Sequence, residues 1–258
     1  MNSVFQNGKA LVTFITAGDP HPKATVKFLH ALEKNADILE LGIPFSDPMA
    51  DGPTIQKANY RALSNGMRLS KVFEIVEEFK DKSDTPIVLM TYYNPVYVNG
   101  EENFVKMAKK SGVDGLIIVD LPTEESGNYI QVCRENNMDT IFLAAPNTPH
   151  NRLIEVNEAS SGFVYLVSLY GTTGERKDIP QVSIEFLKRA RRLCTQPLCV
   201  GFGISRKEQV EKLVKNGADG VVVGSSLVNI IEKYGNSSET VDKLITKTAE
   251  LKEGLKQS

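Results

Sequence analysis

Residues 37–56 read DILELGIPFSDPMADGPTIQ, and the reading of the whole fold starts from residues 38–42, which Asp37 leads into. The run is apolar except for Glu40, which stands where a strand covered on both faces carries leucine or valine. Side chains alternate along a strand, so Ile38, Glu40 and Gly42 share one face while Leu39 and Leu41 share the other. In a barrel of parallel strands the leucines would face surrounding helices. Glu40 would then point into the barrel near its C-terminal mouth, where catalytic groups of such barrels sit. The plainer alternative is a carboxylate ion-paired with an inward basic residue, although fully buried Glu is rare without a partner or a task. The loop that follows carries Pro44, Pro48 and Pro53, whose fixed φ angles lower the entropy lost on ordering it. It presents Ser46, Asp47 and Asp51 over the same mouth. Aspartate before glycine or proline is also ordinary turn or N-cap chemistry, with Pro53 as first helical residue.

Working outward, apolar runs alternate with helical spacing along the chain. Strands are expected at 10–16 (ALVTFIT), 38–42, 86–91 (PIVLMT), 115–119, 140–145, 163–168 (FVYLVS), 197–200 and 220–223 (GVVV). Helices are expected at 23–34, 54–65, 70–80, 102–111, 124–136, 151–159, 183–193, 206–216 and 240–255, with another opening at Gly224-Ser225-Ser226. Residues 1–9 read as a short polar start, Asn94-Pro95 as part of a turn, and Gly112 as a helix C-terminal cap. Eight strands alternating with helices, and no composition shift between them, predict one (β/α)8 TIM barrel spanning residues 1–258, with extra helices. A doubly wound open sheet would place a glycine-rich turn after its first strand, and Thr16-Ala17-Gly18-Asp19-Pro20 does not resemble G-x-G-x-x-G.

Composition narrows the function classes. With 258 residues, 41% apolar and 24% charged, the chain can bury a large core. A net charge of -2 with both signs interspersed argues against a nucleic-acid footprint, and the run Lys188, Arg189, Arg191, Arg192 reads as a solvated helix face. Cys133, Cys194 and Cys199 lack metal-finger spacing and fit a reducing cytoplasmic setting. No apolar run approaches a membrane span and residues 1–8 are too polar for a signal peptide, so a cytosolic protein is expected.

The glycine turns Gly201-Phe202-Gly203 and Gly224-Ser225-Ser226 follow the last two strands. Glycine lets backbone approach an anion, free N–H groups at a helix start attract it, and barrels of this kind often bind phosphate there. Gly171-Thr172-Thr173-Gly174 could add a third wall, or be a loop that closes over ligand. The strand runs hold no lysine for a Schiff base, and His21, His30 and His150 are too scattered for a metal site. Asp120 ends the fourth strand before Leu-Pro and reads as a turn residue. Phe14 and Tyr92 are candidate pocket walls, and Tyr165 shares a face with Phe163 and Val167, either lining the lumen or filling it. An apolar interior with one inward Glu, one or two loop Asp and an anion clamp suits acid–base catalysis on a phosphorylated, partly aromatic molecule. Apolar surroundings would raise the Glu40 pKa so that it exchanges protons near neutrality.

LELGIPFSDPMADGPTIQ resembles the signature of the tryptophan synthase alpha subunit family, and TFITAGDP, LMTYYNP, VDLPTEES, YLVSLYGTTGER and GFGIS match that family in order over nearly the whole chain. The resemblance implies a (β/α)8 lyase without metal or organic cofactor that cleaves indole-3-glycerol phosphate to indole and glyceraldehyde 3-phosphate. It implies that Glu40 protonates the ring carbon bearing the glycerol chain and helps remove the hydroxyl proton, while Asp51 holds the indole N–H. Phosphate contacts would come from Gly174, Gly203, Gly224 and Ser225, and Phe14, Tyr92, Tyr165, Thr173 and Phe202 would border the ligand. The implied partner is a pyridoxal-phosphate-dependent beta subunit in an α2β2 assembly, contacted by the loop with Asp47 and Pro48 and by Asn94-Pro95. Some relatives carry arginine where this chain has Leu169, which puts any closure using that arginine in doubt. Two alternatives remain: a neighbouring phosphate-binding barrel of the same pathway, which is not expected to carry the 37–56 signature, or a subunit that mainly activates its partner.

Overall fold

In the computed structural model, which describes residues 1–168 and 178–256, the apolar runs form eight strands. They are β1 (Ala10–Thr16), β2 (Ile38–Gly42), β3 (Ile87–Thr91), β4 (Gly115–Ile118), β5 (Asp139–Ala144), β6 (Val164–Val167), β7 (Leu198–Gly201) and β8 (Gly220–Val223). Each pairs in parallel with the next, and β8 returns to β1 from Ala10↔Gly220 to Thr13↔Val223, closing a barrel in chain order. Around it run α2 (Pro22–Leu32), α3 (Pro53–Ser64), α4 (Leu69–Lys80), α5 (Tyr93–Asn99), α6 (Glu101–Lys110), α7 (Gly127–Glu135), α8 (His150–Ala159), α9 (Gln181–Leu193), α10 (Lys207–Lys215), α11 (Ser225–Tyr234) and α12 (Ser238–Glu253). None of the described helices is long and apolar enough to cross a membrane. The expected wall at Gly171-Thr172-Thr173-Gly174, with Leu169, lies outside the described residues.

Strand alternation sorts the apolar side chains into two layers. Val12, Ile38, Val88, Ile117, Ile141, Cys199 and Val222 fill the lumen, while Leu11, Leu39, Leu41, Leu89 and Val221 pack outward with the helices. This is the division expected for β2: Leu39 and Leu41 face the helices, and Ile38 faces in.

Four expectations are corrected. The polar start contains a short helix, α1 (Asn2–Gln6), whose Val4 and Phe5 pack against the lumen cluster from below. The Phe5 and Phe163 rings lie 6.1 Å apart edge to face, so the segment closes the floor of the barrel; a five-residue helix is too short for periodicity to show. The single helix expected at 124–136 is broken into a 3-10 turn, Thr123–Glu125, and α7. Buried Ser126 divides them by donating its hydroxyl to the Thr123 carbonyl at 2.8 Å. Asn94-Pro95 is no turn but the opening of α5, where proline's missing N–H has no acceptor to lose. The basic run on α9 is also less solvated than expected. Arg189 donates to the carbonyls of Pro146 and Thr148, and Arg191 pairs with Asp219.

The floor is held by one device used four times. Asp37 accepts from the Leu11 N–H and donates its own N–H to the Leu11 carbonyl; Asp114 does the same with Ile87, and Asp219 with Leu198. Ser161 repeats the exchange with Thr140. Each ties the start of an odd strand to the residues leading into the next even one, and the three carboxylates pair with Lys252, Lys80, and Lys9 with Arg191. A strand-end N–H gains a charged acceptor, stronger than a neutral one. Asp219→Ala orphans the Leu198 N–H and removes the carboxylate shared by Lys9 and Arg191, and should lower unfolding free energy by about 2–3 kcal/mol, whereas Asp219→Asn should cost about half that. Urea unfolding of the two variants checks the order, and equal losses would mean that the ion pairs, not the backbone bond, hold this end.

Candidate active site

Glu40 sits one alternation above Ile38 on β2, in register with Phe14 of β1 and Val88 of β3. It is 0% exposed, and neither carboxylate oxygen has a hydrogen-bond partner among the described residues. Among the described residues, then, no inward basic partner pairs with it. Burial, and secondarily the charge of Asp51, push its pKa from 4.5 up to about 8, as an apolar surround demands of a carboxylate without donors.

Asp51 ends the loop after β2, just before Gly52 and Pro53 start α3. It is 8% exposed and, unlike Glu40, is held. The Tyr92 hydroxyl donates to Oδ2 at 3.2 Å and itself accepts from the Ala50 N–H at 3.0 Å. Asn59 donates to the same oxygen at 3.4 Å, and Gln56 donates to the Asp51 carbonyl at 2.8 Å. Burial raises the Asp51 pKa to about 6 against the lowering by Tyr92 and Asn59. Two neighbouring carboxyls thus differ in proton affinity because one has donors and the other has none. Asn59 was missed in the sequence. Its signal was a polar residue on the buried face of α3, between Ile55 and Ala62.

The aromatic residues are seated by glycines. A Cβ at Gly42 would stand 2.8 Å from the Phe14 ring, and one at Gly224 would stand 3.2 Å from it. Phe14 therefore leans across the gap between β2 and the turn after β8. Tyr165 joins the lumen side chains, its ring against Gly201, where a Cβ would approach within 2.6 Å. Tyr92 stacks on Phe45 with centroids 5.0 Å apart. Phe202 is buried with the helix-facing layer rather than with the lumen residues. Gly203 adopts φ 74, open to glycine but strained for other residues. Gly224 caps α11, whose first residues Ser225 and Ser226 are buried, and the Ser226 hydroxyl has no partner. Thr16, at the mouth end of β1, is buried with an equally unpaired hydroxyl. Thr173 and Gly174 lie outside the described residues.

Two other carboxylates near the mouth stand apart from Glu40 and Asp51. Asp120 accepts from the Tyr93 N–H at 2.6 Å, capping α5 from the next loop. Asp47 is exposed and accepts from Ser46. A pocket of about 350 Å³ beside β4 and β5 is lined by Ile118, Leu121, Phe142, Leu143, Asp120 and Arg152 and contains neither Glu40 nor Asp51. Among the described residues no group of three or more His, Cys, Asp or Glu is placed to hold a metal ion.

Fold and site together define a (β/α)8 barrel with a protonatable, unpaired acid at its C-terminal mouth, the arrangement of an acid–base enzyme. The family model described as tryptophan synthase alpha chain matches residues 2–256, and the chain belongs to that family. Similar proteins include the tryptophan synthase alpha chains of Methanococcus maripaludis, 53% identical over 97% of both chains, and Pyrococcus abyssi, 54% identical over 96% of this chain and 99% of that one. The alpha subunit in the α2β2 tryptophan synthase complex of Pyrococcus furiosus superposes with a TM-score of 0.90 at 50% identity, covering 95% of this chain and 98% of that one.

The folded protein binds the Glu40 proton more tightly than the unfolded chain does. Its contribution to stability is therefore full below pH 4.5 and is lost as pH rises through about 8. Glu40→Gln removes that loss, so its unfolding free energy should gain on wild type progressively across this window. Urea unfolding at about pH 5 and about pH 9 reads the difference, and a pH-independent gap would mean that Glu40 is solvated or paired.

Proposed function

We infer that the chain works as a tryptophan synthase alpha subunit, cleaving indole-3-glycerol phosphate to indole and glyceraldehyde 3-phosphate. The observation that carries the reading is Glu40, buried, unpaired and raised to about 8, at the mouth of a barrel whose family is known. In this reading the protonated carboxyl delivers its proton to the ring carbon bearing the glycerol chain. The ring then becomes an electron sink. As the carbon–carbon bond breaks, its electron pair returns to the ring, the side-chain hydroxyl becomes an aldehyde, and the hydroxyl proton goes back to Glu40. The acid is restored in one cycle.

Asp51, ionised above about pH 6, accepts the indole N–H and stabilises positive charge on the ring. The backbone at Gly203, Gly224 and Ser225, with Gly174 outside the described residues, takes the phosphate, supported by the helix start at Ser225. Phe14, Tyr92 and Tyr165 border the ring, with Thr173, outside the described residues, as a further wall residue. No residue in this scheme needs a metal or an organic cofactor.

The Pyrococcus furiosus relative is solved in an α2β2 complex, and a beta subunit is the partner in this reading. Met49, 87% exposed, and Tyr97 and Val98 on α5 are large apolar side chains left uncovered on the mouth side of β2 and β3. Together with Asp47, Pro48 and Asn94-Pro95 they support docking there. The three cysteines, all free and buried, support a cytoplasmic setting.

Glu40→Gln should lower indole release on the order of a hundredfold or more, alone and with a beta subunit, while Asp51→Asn, which leaves no carboxyl to titrate, should remove the acid limb of the pH profile near 6. Steady-state indole release with purified subunits measures both. If Glu40→Gln changed neither rate, the catalytic assignment would be wrong. If it abolished indole release yet kept stimulation of the partner, the two roles of the subunit would be separable.

A further inference from the structure

Arg61, in the last turn of α3, is shared between two carboxylates. Its Nε and Nη2 donate to the two oxygens of Asp19 at 2.7 and 2.9 Å, and its Nη1 donates to Glu232 at 3.0 Å. Asp19 lies in the turn after β1 and is 1% exposed; Glu232 lies near the end of α11. Asn65, just past α3, adds a bond from its side-chain amide to the Pro20 carbonyl at 2.7 Å. One guanidinium therefore joins the β1 turn, α3 and α11.

These are the two helices whose opposite ends carry the site. α3 starts directly after Asp51 and supplies Asn59 and Gln56, which hold it. α11 starts at Gly224 and Ser225. The same helices meet nearer the mouth, where Ile55 and Ala58 of α3 pack with Val228 of α11 and with Phe14. Arg61 makes its contacts six residues beyond Ile55, roughly 9 Å further along α3. A helix pinned at one point can swing, and one pinned at two cannot.

Stability alone is a poor account of the arrangement. Burial raises the Asp19 pKa even against Arg61, and buried ion pairs on balance add little stability, though they do specify geometry. The planar fork of arginine, bidentate to one carboxylate and reaching a second, is what a lysine cannot reproduce.

We propose that Asp19, Arg61 and Glu232 form a positioning clasp that sets the span between Asp51 and the anion-binding end of α11, matching it to one substrate length. The proposal rests on the substrate assigned above. Indole-3-glycerol phosphate carries its ring N–H and its phosphate at a fixed separation. The gain from binding both ends at once depends on that span, whereas each product engages one end only.

Arg61→Lys keeps a charge beside Asp19 but loses the fork, and Glu232→Gln removes only the outer arm, so the second decides the matter should the first fail to fold. In the complex with the beta subunit, kcat and KM for indole-3-glycerol phosphate are measured beside dissociation constants for indole and for glyceraldehyde 3-phosphate. The clasp predicts kcat/KM reduced about ten- to a hundredfold with each product's affinity within about twofold of wild type. Equal weakening of all three ligands, or a lowered Tm with unchanged kcat/KM, overturns it. A wild-type complex that releases no indole would refute the functional reading instead.

Discussion

A carboxyl group with no donor, no cation and no water-facing edge can persist in a folded protein only by keeping its proton. Ionising Glu40 where it stands would leave a bare charge above an apolar lumen, a cost of several kcal/mol that nothing among the described residues offsets. Much of the barrel serves to maintain that condition. Val12, Ile38 and Val88 exclude water from beneath it, and α1 closes the floor below them. Asp51, close enough to act on Glu40 through its charge but supplied with its own donors, keeps the two carboxyls from sharing one role.

The seating of the site follows from backbone economy. Phe14 and Tyr165 reach their places because the facing positions are Gly42, Gly224 and Gly201, which offer no Cβ. Each pairing crosses between strands or turns distant in sequence. The ring of Phe14 thereby links the strand of Glu40 to the turn before α11, and Tyr165 leans on the neighbouring strand β7. The floor and the mouth are also chemically separate. The repeated carboxylate-to-strand exchanges at Asp37, Asp114 and Asp219 lie at the strand starts, while Glu40, Asp51 and the glycine turns lie at the strand ends. Stability and chemistry can therefore vary independently along the barrel axis.

Most of this architecture was legible in one dimension. Period-two alternation placed Leu39 and Leu41 outside and Glu40 inside, and eight apolar runs implied a closed barrel. An acid interrupting a buried strand stood out because nothing local requires it there. The helix at Asn2–Gln6, the break at Ser126 and the helical state of Asn94-Pro95 were not legible. Each is short: the first and third are decided by contacts distant in the chain, Phe5 against Phe163 and Asp120 against the Tyr93 N–H, and the second by a single local bond, Ser126 to Thr123, that apolar periodicity does not register.

Local pattern by itself determined the strand count, the parallel order and the inward direction of Glu40, all of which depend on side-chain alternation and apolar periodicity, properties of neighbouring residues. The family came separately, from the resemblance of its motifs. Only the folded chain decided that Glu40 has no partner among the described residues, that Tyr92 and Asn59 both hold Asp51, and that Arg61 joins Asp19 to Glu232. Such facts concern atoms separated by as many as 171 positions in the chain, and barrel closure is what brings them within hydrogen-bonding distance.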